Sequence, residues 1–168
     1  DYYNNGKLQY IFNSVSHVFI VDRLGNDVGS YPLRLSSTAT GSLTLVKNGA
    51  ISRYYVPCAN GSIYGYESNG KPLSGWSPKT GIGVLSQPLQ YINQKRNDLF
   101  IAFNTAGKLQ LLDARGNLKW AVDNLPATNQ GFTVVPANGN FVLLNASGNQ
   151  LTEISGDGND KISPLIDS

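Results

Sequence analysis

The sequence predicts an all-β fold of four-stranded antiparallel sheets, on three features. A glycine-centred turn recurs at Asp22-Arg-Leu-Gly25-Asn26, Glu67-Ser-Asn-Gly70-Lys71, Asp113-Ala-Arg-Gly116-Asn117 and Asn145-Ala-Ser-Gly148-Asn149, so that equivalent glycines stand 45, 46 and 32 residues apart. Short apolar segments lie between the turns, and no stretch carries apolar residues at the i, i+3, i+4, i+7 spacing of a helix. A period of about 40 to 50 residues holding four short strands marks the blades of a β-propeller. The expected class is therefore a propeller of four-stranded antiparallel blades, about 3.5 to 4 of them at the roughly 45-residue period. Their approximate limits are 1–35, 36–80, 81–125 and 126–168.

Each element has its own reason. A strand is expected at Leu8 to Phe12, Tyr54 to Pro57, Leu99 to Phe103 and Phe132 to Val135, where β-branched and aromatic residues concentrate. A turn then follows at Gly61, Gly107 and Gly139, each nine residues before the next turn glycine, with Ser16 in that place in the first copy. The following strand aligns Val18, Ile63, Leu109 and Phe141, then Ile20, Gly65, Leu111 and Leu143, then Val21, Tyr66, Leu112 and Leu144. Its apolar residues fall on both faces, the pattern of a strand packed between two sheets. A third strand is clearest at Leu118 to Val122, and a fourth at Ser42 to Val46 and Leu89 to Asn93. The 32-residue interval is too short for a full set, so a strand is expected to be abbreviated or missing there.

Composition excludes several functions. Net charge is +2 with Lys and Arg scattered, which is not the basic footprint of a nucleic-acid binder. Hydrophobic residues make up 40% of the chain, enough to bury a core and to exclude disorder. Cys58 is the single cysteine and permits no internal disulfide. No apolar run approaches the roughly 20 residues of a membrane-spanning helix. At about 45 residues per blade the chain falls short of four blades, whereas rings close with roughly four to eight. With no initiator Met before Asp1, it is expected to be part of a larger propeller. The alternatives are a small ring closed by Ile162 to Ile166 adding a strand to the first blade, or an open stack with bare edges.

The segment Leu111-Leu-Asp113-Ala-Arg-Gly116-Asn-Leu-Lys-Trp120 resembles the blade motif of quinoprotein-like propellers, also called PQQ-like or WD40-like. In that motif an aspartate, a turn glycine and a tryptophan four residues later lock one blade to the next. Asp113, Gly116 and Trp120 match it. In the second copy Glu67 and Gly70 remain with Trp76 six residues after the glycine, and copies one and four have no tryptophan. The opening, Asp1-Tyr-Tyr-Asn-Asn-Gly-Lys-Leu-Gln-Tyr-Ile-Phe-Asn13 with Tyr31-Pro-Leu-Arg-Leu35, is similar to the C-terminal propeller region of large uncharacterised Bacteroidetes-type proteins. That resemblance implies a fold and a bacterial origin and no assigned activity; the expected location is the cell envelope, periplasmic or exported. A quinoprotein enzyme would need a calcium site of Glu, Asn and Asp, a catalytic Asp and usually paired cysteines, and this chain offers no such set.

Chemistry-bearing residues are sparse. His17 is the only histidine and lacks the further ligands a zinc site requires. Cys58 has no neighbouring base to raise a thiolate and is expected to be a buried small residue. Asp22, Glu67, Asp113 and Asn145 hold one repeat position, so they are spread around a ring and cannot converge as acid and base. Their three-residue lead on glycine suits a side chain that accepts hydrogen bonds from the turn backbone. Asp22, Gly25, Glu67, Gly70, Asp113, Gly116, Trp120 and Gly148 are accordingly assigned to blade structure. Asp157-Gly-Asn159-Asp160 is the densest oxygen cluster, but Lys161 and the lack of a distal bidentate Glu make it a solvated loop. Tyr54, Tyr55, Tyr64, Tyr66 and Trp76 are read first as packing, with stacking on sugars as the alternative. The long Gly/Pro-rich loop 71–83 is the candidate partner-binding segment, through Lys71, Leu73, Trp76, Pro78 and Lys79. The expected function is a non-enzymatic scaffold for protein partners, with carbohydrate binding as the alternative and no catalytic residue, cofactor or metal.

Overall fold

The structure, a computed structural model, describes residues 2, 6–48, 51–76, 83–94, 97–128 and 130–165. These residues form strands, turns and connecting segments with no helix among them. Fourteen strands make four antiparallel sheets, taken in chain order. The first holds β1 (Tyr10–Asn13), β2 (His17–Val21) and β3 (Leu33–Arg34). The second holds β4 (Thr44–Asn48), β5 (Ile51–Pro57) and β6 (Ile63–Glu67). The third holds β7 (Gln90–Gln94), β8 (Asn97–Phe103), β9 (Leu109–Asp113) and β10 (Leu118–Val122). The fourth holds β11 (Thr133–Ala137), β12 (Asn140–Ser147), β13 (Gln150–Ser155) and β14 (Asp160–Pro164). Every sheet is a meander, each strand hydrogen-bonded to the next in sequence.

Apolar residues on both faces of the middle strands explain the stacking. β9 buries Leu109, Gln110, Leu111 and Leu112 in succession. Leu109 and Leu111 face the fourth sheet, in a cluster with Phe141, Leu143 and Ile154. Leu112 faces the second, with Phe100, Tyr55 and Ile63. A third cluster joins the first sheet to the second through Val18, Ile20, Tyr54, Val56 and Tyr66. The sheets thus dock in series, one to two, two to three, three to four. β4 and β7 approach each other across sheets, which places the leading strands on the inner side of the stack.

The turn between the third and fourth strand positions repeats one hydrogen-bond pattern. Asp22 N–H donates to Asn26 O and Gly25 N–H to Asp22 O, and the same pair of bonds recurs at Glu67–Lys71 and Asp113–Asn117. The fourth copy of this pattern is Ser155–Asn159, where Ser155 N–H donates to Asn159 O and Gly158 N–H to Ser155 O. This corrects the sequence reading at Asn145-Ala-Ser-Gly148. Gly148 lies in the β12–β13 turn, the place held by Gly61 and Gly107 in the second and third sheets. The 32-residue interval therefore compares unlike turns, and from Gly116 to Gly158 the spacing is 42 residues. The fourth sheet keeps all four strands, and the sheets with three are the first and second. Likewise β14 pairs with β13 in its own sheet, so Ile162 to Pro164 do not complete the first, and Ile166 lies outside the described residues.

Candidate functional site

An aromatic residue fixes each sheet to the next one's turn. Trp120 lies against Gly158, whose missing Cβ would sit 3.0 Å from the indole Cγ, and its Nε1–H donates to Gly156 O at 3.0 Å. Trp76 covers Gly116, with three indole carbons 3.4 Å from the position of a Cβ. Tyr31 and Leu33 approach Gly70, and the Tyr31 hydroxyl donates to Ser68 O at 2.8 Å. Ser68 and Gly156 are equivalent, each one residue past the start of its turn. These turn glycines have φ of +84, +74 and +93 in sheet order, a left-handed backbone that disfavours any side chain, and the missing side chain is also what admits the ring.

The three aromatics reach their targets by two routes. After one bridge to the preceding strand, Val21 with Asp27 or Tyr66 with Pro72, the chain leaves the first and second sheets and brings Tyr31 and Trp76 inward, each six residues past its glycine. Pro72 has no N–H for a longer ladder. In the third sheet the fourth strand continues as β10, and a bulge between Leu118 and Trp120 re-aims the tryptophan toward the fourth sheet.

This geometry separates the candidate residues. Trp76 is only 7% exposed, packs on Tyr55 and Phe100 at centroid distances of 4.6 and 5.2 Å, and donates its Nε1–H to Ile63 O at 2.8 Å. It is therefore a core residue, not the exposed member of a partner-binding loop. Leu73 packs against the same cluster, whereas Lys71 is exposed. Pro78 and Lys79 lie outside the described residues. Tyr54, Tyr55 and Tyr66 are buried and Tyr64 half-buried, so with Trp76 they form core rather than an exposed stacking platform. Burial pushes the Tyr55 hydroxyl up to about 12 and raises that of Tyr54 further.

The turn carboxylates are tied to the backbone where the side chain is short enough. Asp22 Oδ1 accepts from the N–H of Leu24 and Asn26 at 2.8 and 2.9 Å, and Asp113 Oδ1 from those of Arg115 and Asn117, both at 2.8 Å. In each turn the Asn Nδ2 also donates to the other carboxylate oxygen. The Asn26 side chain, then its backbone N–H, holds Asp22 below the ordinary carboxylate range. At Asp113 burial pushes upward, and the bonds from Asn117 and Arg115 together outweigh it. Glu67 does not make this cap: Asn69 accepts from Lys71 N–H instead. Asn145 caps no turn at all, and donates to the carbonyls of Gln130 and Gly131. Asp157 accepts from Ser155 Oγ and from Asn159 Nδ2, which keeps its carboxyl low, the Ser155 bond first.

Other chemistry-bearing groups are accounted for locally. Cys58 is 1% exposed, its thiol facing Ser37 O and Val56 O, and burial raises its pKa to about 11. His17 Nδ1 is 2.9 Å from Ser16 Oγ. Among the described residues no group of three or more His, Cys, Asp or Glu side chains could hold a metal ion, and no helix is long and apolar enough to cross a membrane. Two clefts open between the third and fourth sheets. One, of about 460 Å³, lies by Asn104, Thr105, Thr128 and Ser147. The other, of about 430 Å³, is bounded by Asp98, Asp113, Arg115, Lys119, Asn140 and Gly156.

No family model and no curated protein matches the sequence. Solved structures do resemble the fold. The structure of BBS1N in complex with ARL6DN matches 94% of this chain and 49% of that one, at a TM-score of 0.66 and 16% identity. BamB from Moraxella catarrhalis matches over 90% and 46%, at 0.57 and 13%. A protein of unknown function from Bacteroides caccae matches over 94% and 58%, at 0.51 and 12%. The chain is thus an all-β protein of the propeller fold, and it spans about half the length of these structures.

Proposed function

We propose that the chain is a non-enzymatic propeller scaffold for protein–protein interaction or assembly, working in a bacterial cell-envelope protein. The wider setting is the C-terminal propeller region of a large protein of the Bacteroidetes type. The observation that carries the reading is the rim formed by the four equivalent turns. The backbones of the second, third and fourth are held from below by Tyr31, Trp76 and Trp120, and Asp22 and Asp113 are engaged with turn amides. Exposed basic residues stand in or beside these turns: Arg23, Lys71, Arg115 and Lys119. A rigid base with exposed cationic side chains suits a partner with an acidic surface, attracted most strongly at low salt. Among the similar structures, BBS1N is seen in a complex with ARL6DN, a protein partner.

The test is cross-linking of the chain to envelope proteins in its native host, followed by measured binding of the identified partner. Arg115→Glu with Lys119→Glu should weaken binding at least tenfold and flatten its salt dependence, while the melting temperature stays within about 2 °C. Replacement of the 71–83 loop by a short Gly/Ser linker that retains Leu73 and Trp76 should weaken it further. Unchanged affinity in both variants refutes the rim as the contact surface.

A further inference from the structure

The two ends of the sheets differ in charge. Successive turns of a meander fall at opposite ends of its sheet, so the turns with Gly70, Gly116 and Gly158 share one end. The other end of the second to fourth sheets holds the turns 58–62, 104–108 and 147–150 and the connections 36–43, 83–89, 123–128 and 130–132. In or beside the first set stand Lys71, Asp113, Arg115, Lys119 and Asp157. In the second set the charged side chains are Lys108 and Asp123, which pair with each other at 3.3 Å. This end is otherwise uncharged, and the cleft of about 460 Å³ between the third and fourth sheets opens here.

No residue lining that cleft is charged, and its volume lies within the roughly 300 to 1,000 Å³ of ligand sites. Its hydroxyls are fixed by one hydrogen bond each and keep further capacity. Ser147 Oγ–H donates to Ala127 O at 2.8 Å and Ser86 Oγ–H to Phe103 O at 3.3 Å, so both oxygens retain acceptor lone pairs. Thr128 Oγ1 accepts the Gln130 N–H at 3.0 Å and retains its own O–H to donate. The backbone of the walls is already paired. The N–H groups of Ser86, Thr105, Gly107 and Leu125 donate to the carbonyls of Phe103, Val84, Asn104 and Gly107. A peptide captured by strand addition needs free main-chain groups, and these donors are spent.

We propose that this cleft binds a neutral pyranose unit of a glycan, with sugar hydroxyls bonded by Ser86, Thr128 and Ser147 and a carbon–hydrogen face of the ring against Ala127 and Ala146. A sugar hydroxyl both donates and accepts, and the cleft offers both: acceptors at Ser86 and Ser147, a donor at Thr128. A charged ligand would give up its hydration and meet no opposite charge among the lining residues. The site does not use the aromatic residues around Trp76, which are core, and it lies at the opposite end of the sheets from Arg115 and Lys119, neither of which lines it.

Titration of the isotope-labelled chain with glucose, galactose, N-acetylglucosamine and a disaccharide of each, followed by amide chemical shifts, tests this. At least one sugar should give saturable shifts centred on Ser86, Thr105, Thr128 and Ser147. Its affinity should not change between about 50 and about 500 mM salt, a range over which an ionic contact is screened. Ala127→Phe and Ala146→Phe fill the cleft from exposed positions, one in each wall, and should each weaken binding at least tenfold with an unchanged circular dichroism spectrum. If one of them does not fold, the other serves. Arg115→Glu with Lys119→Glu should leave sugar binding as it is, so failure of this site and failure of the rim are read separately. No shift at these residues with any of the sugars up to about 100 mM, shifts centred elsewhere, full binding by both filled variants, or saturation of the same residues by an uncharged Gly/Ser peptide instead of the sugars would each overturn the proposal.

Discussion

Replacing Trp76 with alanine separates a core residue from a partner contact. The indole is 7% exposed and sits between Tyr55, Phe100 and the backbone of Gly116. Truncation removes nearly all of its burial and leaves a cavity that β-strands on two sheets cannot easily collapse, a class of change that costs about 3 to 5 kcal/mol. The Nε1–H bond to Ile63 O, at 2.8 Å, is lost as well and leaves that carbonyl exposed to the new cavity. For a chain of this size each kcal/mol lowers the melting temperature by roughly 2 to 4 °C, so a fall of about 6 to 20 °C is expected. Trp76→Phe keeps the ring packing on Gly116 but not the donor, and should fall between wild type and alanine. The assay is urea unfolding followed by circular dichroism, with intrinsic fluorescence reporting Trp76 and Trp120 in apolar surroundings before unfolding. A loss below about 1 kcal/mol for Trp76→Ala, the size of a surface substitution, would refute the assignment of Trp76 to the core.

Three further outcomes follow from the same geometry. Gly158→Ala and Gly116→Ala meet both a left-handed backbone and an indole, whereas Gly25→Ala, at φ +84, meets only the backbone cost of about 1 to 2 kcal/mol; chemical denaturation should rank Gly25→Ala mildest. Asp22, Asp113 and Asp157 have carboxyls held below the ordinary value, so the stability they contribute is present above about pH 4 and is lost as pH falls through their lowered values. Melting curves from pH 7 to pH 2 should show this acid limb, and Asp113→Asn should shallow it while costing less than about 1 kcal/mol at pH 7, because the site is solvent-screened. Cys58, buried with its pKa raised to about 11, should resist a disulfide reagent at pH 8 and react stoichiometrically once the chain is unfolded in guanidinium; rapid reaction of the native chain would contradict its burial.

Much of the fold was legible because its signals are local. A left-handed glycine after an Asx residue is visible in sequence, and three of the four turns and the strands beside them follow from it. The fourth was misplaced because Asn145-Ala-Ser-Gly148 has the expected spelling while Ser155-Gly-Asp157-Gly158-Asn159 does not: serine begins the turn, and Asp157 bonds Ser155 and Asn159 from inside it. The hydrogen-bond pattern, which depends on backbone register, identifies the true copy. Tyr31, the first sheet's locking residue, is hidden in the sequence for a related reason. A search for tryptophan passes over it, although Gly25 to Tyr31 and Gly70 to Trp76 share a six-residue offset that would have found it. For the candidate site, composition could not say which way Trp76 points, since an aromatic residue in a Gly/Pro-rich loop fits a rim and a core equally well. Only packing against Tyr55 and Phe100 decides it.

The aromatic residues after the first three turns, Tyr31, Trp76 and Trp120, seat on the turn glycines of the following sheets, Gly70, Gly116 and Gly158. Nuclear Overhauser contacts between ring protons and glycine Hα protons test it directly. Contacts are expected from Trp76 to Gly116 and from Trp120 to Gly158, and none from Trp120 to Gly148. Contacts from Trp120 to Gly148, or an indole with no glycine contact at all, would contradict it.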